Sequence, residues 1–175
     1  MREVSCQTIT KDEKLRMPKQ QRFDKKVPDR KYVSKRDLGV SPEPVGVAQE
    51  GEGVSFVVQE HHARRLHYDF RLERGRVMKS WAVPKGLPIN PGEKRLAIEV
   101  EDHPLDYRKF EGTIPRGEYG AGIVTIWDKG TYQAKVWEEK MIEITLNGER
   151  LHGRYVLARF KKAGEKGWLL LKAND

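Results

Sequence analysis

The sequence predicts an all-β fold: a compact antiparallel β-barrel of about eight short strands behind a basic, poorly ordered N-terminal arm. Three observations lead there. Short runs rich in Val, Ile, Trp, Tyr, Phe and Thr recur along the chain with turn residues between them. No segment sustains a helical period long enough to serve as a crossover, so neighbouring strands must run antiparallel. Asn147-Gly148 and Gly164-Glu165-Lys166-Gly167 are hairpin signals lying between such runs. With 175 residues, 37% of them hydrophobic, the chain is the size of one domain with one core.

The arm is read from charge. Residues 1–36 hold 12 Lys and Arg against 5 Asp and Glu, whereas residues 37–175 hold 22 against 21, so most of the net +8 belongs to the first stretch. That stretch shows no sustained period and is interrupted by Pro18 and Pro28. It divides the chain into an arm, 1–36, and a barrel domain, 37–175. Two roles fit the arm, a solubilising tail or an electrostatic hold on phosphates. The basic excess favours a polyanionic partner, nucleic acid before membrane. A single cysteine, Cys6, excludes an internal disulfide and a cysteine zinc site. No apolar run approaches the roughly 20 residues of a membrane span and the start lacks a signal-peptide stretch, so a soluble cytoplasmic protein is expected.

After Ser41-Pro42-Glu43-Pro44, a rigid non-helical stretch, strands are predicted at 54–60, 66–73, 77–83, 95–101, 123–127, 131–137, 141–146, 154–160 and 168–172. The second is the informative one. Alternation puts Leu66, Tyr68, Phe70 and Leu72 on one face, the core, and His67, Asp69, Arg71 and Glu73 on the other. His67 and Asp69 then stand about 7 Å apart at the backbone, close enough to converge on one ion. His61, six residues upstream, supplies a third ligand if Ala63-Arg64-Arg65 turns. Histidine with carboxylate suits manganese, iron or zinc; a surface His67 merely paired with Asp69 fits the same spacing. In the strand at 95–101, Arg95, Ala97, Glu99 and Glu101 share one parity and Leu96, Ile98 and Val100 the apolar other, and His103 joins Arg95 if the strand continues. Were the two strands neighbours, His67, Asp69, Arg71, Arg95 and His103 would line one polar cavity, a metal with cations suited to phosphoryl chemistry. Lys85, at the end of the third strand, is a further candidate cation.

The glycine-rich run 112–122 lacks a Gly-Lys-Ser/Thr ending and precedes a strand, so it reads as tight turns and a bulge instead of a phosphate loop. His152 reads as a turn residue, and Trp81, Trp127, Trp137 and Trp168 as core or rim.

Taken together, His61–Glu73, Lys79-Ser80-Trp81-Ala82-Val83-Pro84-Lys85-Gly86, Arg95-Leu96-Ala97, Glu101-Asp102-His103-Pro104-Leu105-Asp106-Tyr107 and Gly117-Glu118-Tyr119-Gly120-Ala121-Gly122 closely resemble the 3′-phosphoesterase domain of DNA ligase D, from about Tyr32 to Lys172. The resemblance implies a compact β-barrel, dependent on Mn2+ or another divalent transition metal. Such an enzyme removes a 3′-terminal ribonucleoside and then the 3′-phosphate, leaving a 3′-hydroxyl for ligation. It implies that His61, His67 and Asp69 hold the metal and that Arg71, His103, Lys85, Arg95 and Tyr107 contact the scissile phosphate. It further implies that an acidic pair before the barrel, Asp37 and Glu43 with Arg36 beside them, supports activity. The partners implied are 3′ ends of DNA or of DNA/RNA primer-templates. Because no Lys-x-Asp-Gly motif occurs, a separate ligase and polymerase acting in trans are expected. Arg116 stands where the family pattern has an acidic residue, and Ser41 where threonine is usual. Two other classes also fit parts of the sequence. His67, Asp69 and His103 match a two-histidine, one-carboxylate iron oxygenase. A non-catalytic nucleic-acid-binding module would leave the histidines inert.

Overall fold

The computed structural model describes residues 30–37, 39–44 and 54–174. Nine strands form one antiparallel sheet: β1 (Ser55–His62), β2 (Leu66–Arg74), β3 (Val77–Val83), β4 (Lys94–Glu99), β5 (Gly112–Ile114), β6 (Gly122–Trp137), β7 (Met141–Gly148), β8 (His152–Arg159) and β9 (Gly167–Lys172). The order β1-β2-β3-β4-β9-β8-β7-β6 returns to β1 through a β1–β6 pairing, so eight strands close a barrel and β5 is appended to β6. The all-β barrel expected from the sequence is what forms. Among the described residues no helix is long and apolar enough to cross a membrane.

Closure depends on β6. Its first part pairs with β1 up to Ser55↔Thr131 and its second with β7 from Gly130↔Gly148 onward. The sequence suggests two strands here, broken at Asp128-Lys129-Gly130, but β6 is continuous. The register slips between Val58 and Gln59, opposite Asp128 and Ile126, and this bulge bends β6 without ending it. Asp128 is fully buried and its carboxylate accepts the N–H groups of Glu149, Arg150 and Leu151. That bonding also explains the next hairpin. Asn147 pairs with His152, so the connection is the longer loop 148–151 instead of a two-residue turn at Asn147-Gly148. His152 accordingly opens β8.

The barrel interior holds Phe56, Val58, Phe70, Leu72, Trp81, Val83, Ala97, Ile144, Leu157, Trp168 and Leu170, with Tyr68, Trp127 and Trp137 partly buried against them. The tryptophans are thus core or rim. The opposite parity of β1, β2 and β3 faces outward, and there it is roofed rather than solvated. The roof comprises α1 (Arg30–Ser34) with the segment to Pro44, the 3-10 helix Leu105–Lys109, and the run from β5 to β6. Two small apolar clusters fasten it: Tyr32, Tyr107, Phe110, Ile114 and Val124, and Val57, Met78 and Leu105. Residues 30–36, grouped by charge with the arm, belong to this roof, Tyr32 being wholly buried. The boundary expected at 36/37 falls inside a docked segment; residues 1–29, with Cys6, lie outside the described residues.

Candidate active site

The outward face of β2 carries His67, Asp69 and Arg71 in the order that strand alternation predicts. β1 lies against it with His61 opposite His67 and Gln59 opposite Asp69, and β3 flanks it with Ser80 opposite Arg71. A cavity of about 260 Å³ lies between this face and the roof. The site is therefore on the outer wall of the barrel and not in its interior.

Three ligand atoms converge. One donor atom each from His61, His67 and Asp69 lies within 4.8 Å of the others. His61 Nδ1 is 3.5 Å from Asp69 Oδ2, and His67 Nε2 is 3.7 Å from Asp69 Oδ1. The far side of each ring is fixed by a carbonyl, which can only accept. His61 Nε2 donates to Gly120 O at 2.7 Å and His67 Nδ1 to Arg65 O at 3.0 Å. In the neutral rings this leaves the lone pairs of His61 Nδ1 and His67 Nε2 facing the carboxylate, an arrangement typical of metal-ligating histidines. Burial alone would raise the Asp69 carboxyl, but the Arg71 guanidinium, with His61 and His67, outweighs it and holds the group well below the usual carboxylate range. A buried anion with two inward lone pairs suits a divalent transition metal.

Arg71 is as buried as the core. Its Nε donates to Gln59 Oε1 (2.7 Å), Nη1 to Ser80 Oγ (2.9 Å) and Nη2 to Asp69 Oδ2 (3.0 Å). A guanidinium has five N–H groups, so two remain for a ligand in the cavity. Gln59 in turn donates to the carbonyls of Tyr107 and Phe110, tying the 3-10 helix to the metal face. Gln59 was not singled out from the sequence. Its signal is a polar residue two before His61 on an apolar strand, a repeat on β1 of the alternation seen on β2.

His103 arrives by a different route from the one expected. β4 ends at Glu99, and His103 is held instead by an isolated bridge to Met78. Its Nδ1 donates to Glu101 O at 2.8 Å, and its Nε2 stands 3.4 Å from Arg36 Nη2. Burial, reinforced by Arg71 and Arg36, lowers its pKa well below the ordinary histidine value. The sign follows. The unfolded chain binds this proton at a higher pH than the folded one, so stability is lost as pH falls below about 6.5 toward the depressed folded value. In the free protein the imidazole resonances of His103 should stay unshifted between pH 7 and 6 in 15N-detected NMR; a midpoint at 6.5 or above would contradict this.

Glu43 and Arg36 also line the cavity. Glu43 accepts from Arg36 Nε (2.8 Å), Ser41 Oγ (2.8 Å) and Tyr107 Oη (2.9 Å). Tyr107 thus directs its hydroxyl to Glu43 while its ring lies 4.6 Å from the Arg71 guanidinium carbon. Glu101, which the sequence reading placed only on a strand face, accepts from Lys35 and Arg36.

Three expected residues lie outside the cavity. Asp37 is exposed, its side chain accepting from Gly39 N and its own N–H donating to Glu118. Lys85 is exposed in the turn after β3, beyond the Tyr68↔Val83 pair and so at the His67 end of the site. Arg95 is the clearest correction. β3, not β2, adjoins β4, and the face assignment of β4 is inverted, with Leu96 exposed and Ala97 buried opposite Trp168. Trp168 and Trp81 fill the interior there and leave room only for a small residue. Arg95 shares the parity of Ala97 and pairs with Glu93. His103 likewise takes no part in the ligand trio, so the particular set His67, Asp69 and His103 matched above to an iron oxygenase is not the one brought together.

The glycine-rich run makes tight turns, with Gly117, Gly120 and Gly122 at positive φ, and it shapes the site. Gly122 has φ +149°, and a Cβ there would stand 2.4 Å from His62 O. Gly122→Ala should therefore push the run off the β1–β2 turn, loosening the Gly120 carbonyl behind His61. A loss of roughly 1–3 kcal/mol is expected from backbone strain alone, read by urea unfolding.

A family model described as the DNA Ligase D 3′-phosphoesterase domain matches residues 59–159. The chain is 52% identical over 144 residues to the multifunctional non-homologous end joining DNA repair protein LigD of Mycobacterium tuberculosis (strain CDC 1551 / Oshkosh), covering 78% of this chain and 19% of that protein. It is 46% identical over 157 residues to the multifunctional non-homologous end joining protein LigD of Mycolicibacterium smegmatis, covering 82% and 20%. The Pseudomonas aeruginosa protein of that name is 46% identical over 153 residues, covering 82% and 18%. The chain spans about a fifth of the length of these relatives.

Proposed function

The chain belongs to the DNA ligase D 3′-phosphoesterase family, and from that premise we propose that it is a divalent-metal-dependent hydrolase of 3′ ends in DNA end joining. In this reading it uses manganese, removes a 3′-terminal ribonucleoside, then removes the remaining 3′-phosphate. The observation that carries the reading is the single cavity in which the His61–His67–Asp69 trio adjoins the buried Arg71 and the neutral His103.

His61, His67 and Asp69 would hold the ion. When bound, such an ion withdraws charge from a phosphate oxygen. The chain's own residues do the rest. Arg71, braced by Gln59, Ser80 and Asp69, offers its two remaining N–H groups to the phosphate in a fixed orientation, so little is lost in reorganisation. Arg36 adds a second guanidinium from the roof. His103 keeps its Nδ1 proton on Glu101 O and presents an unprotonated Nε2. Arg71 and Arg36 help to keep it neutral; an arriving phosphate offsets both charges and raises its proton affinity. Nε2 can then take up a proton from solvent and deliver it to the leaving oxygen. Water adds to phosphorus in line as the bond to the leaving oxygen breaks, and the water's proton passes to solvent. The test is incubation of labelled primer-templates ending in a 3′-ribonucleotide or a 3′-phosphate with manganese. Shortened and dephosphorylated products are expected, and their absence with the purified protein would overturn the reading.

A further inference from the structure

The carbonyls that orient the two metal-facing histidines come from two surface loops, the β1–β2 turn (Arg65) and the glycine-rich run (Gly120). These loops abut: a Cβ at Gly122 would stand 2.8 Å from Ala63 Cα. Their outer surface carries Arg64, Arg65 and Arg116, all exposed. Ion pairs among the described residues leave these three out; they join Lys35 to Glu101, Lys79 to Asp102, Arg159 to Glu99, and Lys135 and Arg154 to Glu143. The nearby carboxylates are engaged elsewhere, Glu60 with His62 and Tyr68, and Glu118 with Asp37 N. The opposite wall of the cavity is the roof segment, whose Lys35 and Arg36 are neutralised by Glu101 and Glu43. Three exposed arginines outside every ion pair among the described residues therefore lie on the two loops whose carbonyls orient the metal-facing histidines, and exposed Lys85 lies at the same end of the site beyond β3.

We propose that these loops form an outer phosphate-binding surface, on which Arg64, Arg65 and Arg116 hold the backbone of the polynucleotide strand leading to the scissile phosphate. The proposal rests on the 3′-end reading above and adds the direction from which the strand enters. Guanidiniums suit this task because each can bind a phosphate in bidentate fashion. Arg116, where this chain departs from the family pattern, adds a cation to the loop.

The test compares wild type with Arg64→Ala/Arg116→Ala and with a control on the exposed 3-10 turn before β9, Lys161→Ala/Lys162→Ala. Binding of a labelled primer-template with an ordinary 3′-hydroxyl end is followed by anisotropy as salt is varied. Each phosphate contact contributes about 0.7–0.9 to the slope of log K against log salt. The arginine pair should lose about 1.5 from that slope and the control nothing. On a long 3′-phosphate strand its KM should rise about tenfold or more with kcat held, while a 3′-phosphorylated dinucleotide is turned over as by wild type. An unchanged slope, an equal loss in the control, or an equal defect on the dinucleotide would each overturn the proposal. Should wild type process neither end, the functional reading fails, and the binding measurements still decide this one.

Discussion

Asp69→Asn is expected to abolish tight manganese binding and with it 3′-end processing, each falling by at least about 100-fold. Partners standing behind metal ligands already cost ~10–100-fold when removed, and Asp69 is itself a ligand in this reading. The substitution keeps the volume but removes the anion that the two inward lone pairs of His61 and His67 face. It also leaves Arg71, buried and fixed by Gln59 and Ser80, without its carboxylate. Loss of activity alone would not separate a missing ion from a disturbed fold. His67→Gln makes that separation, because His67 is the most exposed of the three and touches no apolar cluster. It should weaken the ion, titrated calorimetrically or by the manganese EPR signal, with the melting temperature unchanged. Wild-type affinity in both variants would refute the trio as the metal site.

What the sequence made legible follows from the period of a strand. His67, Asp69 and Arg71 at every second position needed only the 2-residue alternation to be placed on one face, and the carbonyl-fixed His61 needed only a turn at 63–65. What alternation does not reveal is which side of a barrel the polar face takes. An outer face covered by a roof is as dry as an interior, so a buried Arg71 was consistent with either. Nor does it resist a short strand with mixed volumes: in β4 the choice between Leu96 and Ala97 was settled by the size of Trp168 across the sheet, a long-range fact. The same holds for Arg36 and Glu43, which lie in a run with no period. Only family resemblance pointed to them, and it took Asp37 along, which the fold leaves at the surface.

That pair carries the second large effect. Glu43 is buried, and three donors from three places in the chain meet on it: Arg36 of the roof helix's trailing end, Ser41, and Tyr107 of the 3-10 helix. Arg36 is buried with it, its guanidinium 4.0 Å from the Tyr32 ring centroid. Removing one partner of such a buried pair leaves the other charge uncompensated, which costs roughly 3–5 kcal/mol. Glu101 still faces Arg36 at 3.2 Å, so Glu43→Ala should fall near the lower end, about 3 kcal/mol by urea unfolding. The loss should be local before it is global. Amides in 30–44 should exchange far faster, while those of the barrel strands keep their protection until the whole domain opens. Turnover should fall with it, because Arg36 then no longer stands over His103 and Tyr107 loses its acceptor. Arg36→Ala combined with Glu43→Ala removes both charges, and the double variant should be less destabilised than the sum of the singles. Strict additivity would mean that the pair does not act as a latch, and that the roof is held by Tyr32 and its apolar neighbours alone.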